Sequence, residues 1–262
     1  MGAASVYHRK GHKIMTKQQS SIIYKGPSLI DSKPIIVVAT IKSPNRKTGN
    51  MVQTYIIRED LSPCEASKTG EDFSICGNCP HRGEITTDPK RKQAKGRLCY
   101  VVLGQGPTII YKSYKRGIYP EIKGHNAIAA LGEGRMVRLG TYGDPAAVPS
   151  YIWESLLSKA KGHTAYTHQS GMQGVDTRPD LFMTSADNEQ DARQAWERGE
   201  RTFRLIANVS QRIQGREILC PASKEAGQRT TCDSCKLCAG ASIAAKSIAI
   251  VAHGAGAASF TG

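Results

Sequence analysis

The chain has 262 residues, with 36 Lys and Arg against 22 Asp and Glu and a formal net charge of +14. That length fits one large α/β domain or two small ones and buries a core without covalent staples, and eight cysteines are too sparse for a disulfide scaffold. No apolar run approaches a membrane span and none follows the basic N-terminal residues, so the expectation is a cytoplasmic, membrane-free protein with reduced thiols. Its charge points to DNA or RNA as partner.

Residues 1–19 read as a basic, disordered arm and 254–262 as a flexible Gly/Ala-rich tail, flanking an N-terminal region over 20–133 and a βα-repeat region over 134–253. In the N-terminal region, strands are expected over Ser20–Lys25, Lys33–Lys42 and Val52–Ile57. The second is so continuously apolar that both of its faces must be covered. A short helix is expected over Asp60–Lys68, stopped by Gly70, then a loop to Arg97 and a strand over Leu98–Leu103. Helices follow at Thr108–Lys115 and Asn126–Leu131. From residue 134 strands and helices alternate: Arg135–Leu139, helix Pro149–Ala160, His163–Thr167, Leu181–Ser185, helix Asn188–Arg198, Thr202–Ala207, Glu217–Cys220 and Ser247–Ala252. Such alternation implies parallel βαβ units, as part of a barrel or a doubly wound sheet. The fold class is α/β, with a cysteine-rich N-terminal region and long metal-binding loops.

The cysteines form two groups, Cys64, Cys76, Cys79, Cys99 and Cys220, Cys232, Cys235, Cys238, each opening C-x11-C-x2-C. Four thiolates complete one closed metal site. Cys232-x2-Cys235-x2-Cys238 with a remote Cys220-Pro221 resembles the ligand run of a bacterial ferredoxin [4Fe–4S] cluster, and it also suits Zn2+. In the first group Cys64 and Cys99 stand far from the Cys76-x2-Cys79 knuckle, and His81 is an alternative to either.

Reactive groups of parallel α/β folds gather where strands end. That rule selects Tyr142, Asp144 and His168 as catalytic candidates, with Tyr166, Ser185, Asp187, Asn208 and Cys220 beside them. Asp144 in Gly143-Asp-Pro145 also reads as a turn cap. The basic run Lys90, Arg91, Lys92, Lys95, Arg97 is the candidate nucleic-acid contact.

Gly134-Arg-Met-Val-Arg-Leu-Gly-Thr-Tyr-Gly-Asp144, His163-Thr-Ala-Tyr-Thr-His168, Cys76-Gly-Asn-Cys79-Pro-His-Arg82, Leu98-Cys-Tyr100 and the second cysteine group together resemble an uncharacterised bacteriophage-encoded cysteine-rich family. That family is distantly similar to radical SAM proteins. The resemblance covers roughly residues 30–240. It implies a partial TIM barrel carrying metal clusters, in the cytoplasm of a host cell. The radical SAM motif C-x3-C-x2-C is not present, and two full four-cysteine sets would leave no open iron, which argues against S-adenosylmethionine as cofactor.

Three functions fit these expectations. One is a metal-cluster enzyme of radical SAM-like architecture acting on nucleotides or nucleic acid. Another is a zinc-stabilised nucleic-acid-binding protein without catalysis. The last is a zinc-bearing barrel that modifies an extruded nucleobase with Asp144 as nucleophile.

Overall fold

The computed structural model describes residues 19–42, 47–254, 257 and 260. The basic arm therefore lies outside the described residues except for Gln19, and the tail except for Gly254, Ala257 and Phe260. The chain is α/β, built on two five-stranded sheets rich in parallel pairing. The first contains β1 (Ser21–Pro27), β2 (Pro34–Thr40), β3 (Val52–Arg58), β4 (Met136–Tyr142) and β5 (Gly162–Thr164), in that order. β1, β2 and β3 run antiparallel, whereas β3–β4 and β4–β5 are parallel.

The second sheet is parallel throughout. It contains β6 (Tyr166–Thr167), β7 (Met183–Ala186), β8 (Thr202–Ile206), β9 (Glu217–Leu219) and β10 (Ser247–Val251), in the order β6-β7-β8-β10-β9. The one strand expected over His163–Thr167 is thus two, ending one sheet and beginning the other. The break falls at Ala165, whose N–H donates to Cys238 O (3.0 Å) and whose carbonyl accepts from Met183 N (3.0 Å), so its hydrogen bonds leave the first sheet.

Among the described residues seven α-helices connect the strands: α1 (Pro63–Thr69), α2 (Phe73–Cys76), α3 (Gly106–Lys115), α4 (His125–Gly132), α5 (Ser150–Leu157), α6 (Glu189–Glu197) and α7 (Cys232–Cys235). α1 starts at Pro63 rather than Asp60. Proline suits the first helical position and the Ser62 hydroxyl caps Glu65 N (3.2 Å). Asn188 caps α6 through Asp191 N (2.8 Å), in line with the sequence signal.

Leu98–Leu103 is a correction: it is irregular, not a strand. Its polar backbone is satisfied locally. Leu98 N and Cys99 N both donate to His81 O (3.2 and 3.1 Å), and Arg97 Nη1 donates to Cys99 O (3.0 Å) and Val101 O (2.7 Å). A segment paired in this way has no ladder to join.

The main core lies on the first sheet. Ile35 to Ala39 of β2 are all fully buried, as a strand covered on both faces must be. Trp153 of α5 packs there with its indole N–H donating to Pro145 O (2.8 Å). Gly140 bends β4: it sits at φ +65°, and the β3–β4 register shifts between Gln53 and Tyr55. A Cβ there would stand 2.5 Å from Gly143 O, so only glycine permits the bend that delivers Tyr142 and Asp144 to the strand end.

Candidate metal centres

One cavity of about 430 Å³ is lined by both cysteine groups. Asp144, His168, Asp187, Cys220 and His253 enter it just past the C-terminal ends of β4, β6, β7, β9 and β10. This is where a parallel sheet leaves side chains and backbone ends unpaired.

The four thiols of the second group converge from separate anchors. Cys220 N donates to Ala249 O (2.8 Å), fixing that thiol at the end of β9. Cys232 and Asp233 donate their N–H groups to Lys47 O and Thr48 O (3.1 Å each), and Asn50 N donates to Asp233 Oδ2 (3.3 Å), pinning α7 to the segment before β3. Cys238 is held by Ala165. Burial pushes the Cys220, Cys232 and Cys238 thiols up, Cys238 to about 12, and the neighbouring thiols add to each. Such thiols keep their protons at neutral pH unless a cation draws them off.

Three of the four thiols of the first group, those of Cys76, Cys79 and Cys99, line the cavity. Cys76 ends α2 and Cys79 follows it in a knuckle that Gln169 clamps. Its amide donates to Cys76 O (3.0 Å) and its carbonyl accepts from Asn78 N (3.0 Å). Arg82 closes the other side, donating to Gly77 O, Gly70 O and Asp72. Cys99 is tied to the knuckle through His81 O. Burial raises Cys76 well above its usual value and also raises Cys99. Cys64 stays apart: it packs against the main core, its Sγ 3.8 Å from Thr108 Oγ1, and does not line the cavity. α1 turns Cys64 toward α3, as the alternative of a packed core thiol expects.

Two imidazoles lie beside these thiols. His168 lies beside Cys79, edge-on to His81 with ring centroids 5.7 Å apart. His81 bonds Asp187 (2.6 Å), and His168 Nε2 stands 3.4 Å from the other carboxylate oxygen. Among the described residues, His81, His168 and Asp187 are the one trio of donor atoms all within 4.8 Å of one another; no three thiols are that close. Burial opposes the charges on Asp187 and His168. Even so, the two imidazoles hold Asp187 well below the usual carboxylate range, and Cys79 and Asp187 hold His168 above the usual imidazole range. A carboxylate behind an imidazole is the arrangement that orients a histidine ligand.

The remaining expected residues divide. Asp144 is a cap: Oδ1 accepts from Ala146 N (3.0 Å), and Oδ2 from His168 N (2.8 Å) and Gln169 Nε2 (3.0 Å). Tyr142, 3 % exposed, turns its hydroxyl to the cavity near Cys76 and Cys99. Lys90, Arg91, Lys92 and Lys95 are exposed, away from the cavity lining, whereas Arg97 is spent on its own loop. Sequence reasoning missed Gln169 and Arg138. Four buried polar atoms have no hydrogen-bond partner among the described residues, namely Arg138 Nε, Tyr142 Oη, Thr164 Oγ1 and His168 Nε2, the last standing only in ion-pair range of Asp187 (3.4 Å), and all four residues line the cavity. No family model, no curated protein and no solved structure matches this chain.

Proposed function

We propose that the protein is a phage-type metal-cluster enzyme of radical SAM-like architecture, with two iron–sulfur centres facing one substrate cavity and a nucleotide or nucleic acid as substrate. The observation that carries this reading is the convergence of Cys76, Cys79 and Cys99 with Cys220, Cys232, Cys235 and Cys238 on a cavity that also collects the unpartnered polar groups. Among the described residues no three thiols lie within 4.8 Å of one another, looser than the roughly 3.8 Å between thiolates on one zinc ion. Parallel neighbours β3-β4-β5 and β6-β7-β8 follow chain order, as the units of a partial barrel do, although β9 lies outside β10.

With Cys64 elsewhere, Cys76, Cys79 and Cys99 would hold the first centre, and His168 beside Cys79 would be a further donor. Bound there, a cluster supplies one-electron chemistry. The chain's own part is to hold it: Gln169 and Arg82 fix the knuckle, Asp187 orients the imidazoles, and Tyr142 offers a hydroxyl donor. Asp144 already accepts three hydrogen bonds, which counts against its use as a nucleophile toward a base.

Anaerobic purification tests the reading. The expected product is brown and contains iron and acid-labile sulfide in comparable amounts. A colourless protein with two zinc ions and no sulfide would overturn it in favour of the nucleic-acid-binding module, whose exposed Lys90–Lys95 loop would give steeply salt-dependent binding. The three-thiol assignment makes its own prediction. Cys64→Ala should leave metal content unchanged at a stability cost on the order of 1 kcal/mol, while Cys79→Ser should lose the first centre's share. Metal analysis of both variants decides it, and metal loss from Cys64→Ala would return Cys64 to the ligand set.

A further inference from the structure

We infer that Arg138 and Thr164 form a seat for the anionic group, carboxylate or phosphate, of a small molecule bound between the two thiol groups. The inference rests on the cavity of the proposed function and names the chemistry of its ligand. Arg138 and Thr164 are direct neighbours across the parallel β4–β5 pair, and both line the cavity. Thr164 is 3 % exposed and its hydroxyl has no partner, and neither has the buried Nε of Arg138. An unmet buried donor costs about 1–3 kcal/mol, so two on neighbouring residues of one cavity wall mark a place where a ligand could complete the hydrogen bonding.

The charge around the pair agrees. Arg138 Nη2 bonds the Tyr100 hydroxyl, and the guanidinium stands 6.0 Å from the Tyr166 ring centroid, and no carboxylate among the described residues bonds it. The two acidic residues lining the cavity, Asp144 and Asp187, are engaged by Ala146, His168 and Gln169 and by His81. Burial works against the Arg138 charge, but a guanidinium keeps its proton in proteins, so the cation persists. Lys236 and His253 add positive or polar character to the same wall. For the body of the ligand there are flat apolar surfaces. Tyr100 stacks on His253 (centroids 5.7 Å apart, 30°), and Phe203 tilts against Tyr166 (4.5 Å). A cavity of about 430 Å³ suits an aromatic molecule with one anionic group.

The competing role for Arg138 is to balance the charge of Cys232 and Cys238 alone. Calorimetric titration of the full-length, metal-loaded protein with phenyl phosphate, benzoate and uncharged benzamide separates the two roles. At least one anion is expected to bind, with benzamide weaker by roughly tenfold or more. The tighter anion identifies phosphate or carboxylate as the source. Arg138→Gln should weaken that anion by roughly tenfold or more, and Thr164→Val by about threefold or more. Thr164→Val should also unfold no earlier than the wild type, because valine removes an unmet hydroxyl. Equal binding of all three probes, or none, overturns the proposal. So does a Thr164→Val protein that binds the anion like wild type while Arg138→Gln only sheds metal. Metal analysis of every sample keeps this result distinct from failure of the cluster reading: anion binding that depends on both residues supports the seat whether the metal is iron or zinc.

Discussion

Cys238→Ser is expected to strip the second centre of its metal and to destabilise the protein more than any other change considered. Cys238 is 9 % exposed, its carbonyl receives the Ala165 N–H at the junction of the two sheets, and the other three thiols of its group are near enough to act on its own. The binding free energy of a thiolate site is also folding free energy, about 10–16 kcal/mol for structural zinc peptides. The segment that gains most from it here is 220–238, whose regular structure is one four-residue helix. Because burial lifts the Cys238 thiol to about 12, metal must displace a tightly held proton, so uptake should fall as pH falls. Metal stoichiometry and thermal unfolding of the purified variant provide the check. Full metal content with an unchanged unfolding midpoint would remove Cys238 from the site.

Glu217→Gln should cost about 3–5 kcal/mol. Glu217 is fully buried on β9 and pairs twice with Arg204 of β8 (2.8 and 2.7 Å) across the intervening β10. Its carboxylate also accepts from Ile213 N (2.8 Å), and Arg204 also donates to Gln211 O (2.6 Å). Removing one charge leaves a buried guanidinium without its counterion. Replacing both, as Arg204→Met with Glu217→Leu, should recover much of the loss, since the desolvation penalty disappears with the pair. Urea unfolding of the two single variants and the double variant completes the cycle. A Glu217→Gln protein within about 1 kcal/mol of wild type would show that the pair carries little. The same change should loosen metal at the second centre, because Cys220 directly follows β9.

The strands were legible because their side chains alternate or run apolar in short, Gly- and Pro-bounded segments; β2 and β8 lie within two residues of their expected limits at each end. Helix caps at Ser62 and Asn188 act within a few residues and need no tertiary partner. Leu98–Leu103 carried the same apolar signal as a strand, but Arg97 and His81 captured its backbone first. The repeated C-x11-C-x2-C frame made two quartets look equivalent. Equal spacing along the chain does not impose equal direction in space, and α1 points Cys64 at Thr108.

The sequence by itself determined that the chain is α/β, grouped Cys220, Cys232, Cys235 and Cys238, which line one cavity, and pointed to the residues after the strand ends as facing a common site. These follow from periodicity, short-range spacing and the polarity of parallel strands. Only the tertiary structure decided that both thiol groups share one cavity, that the first counts three thiols with His168 beside them, and that Asp144 caps while Gln169 clamps. It also set Arg138 next to Thr164 with their donors unmet. Each of these depends on contacts between residues far apart in the chain, where direction and register are settled by packing and by competition for backbone hydrogen bonds.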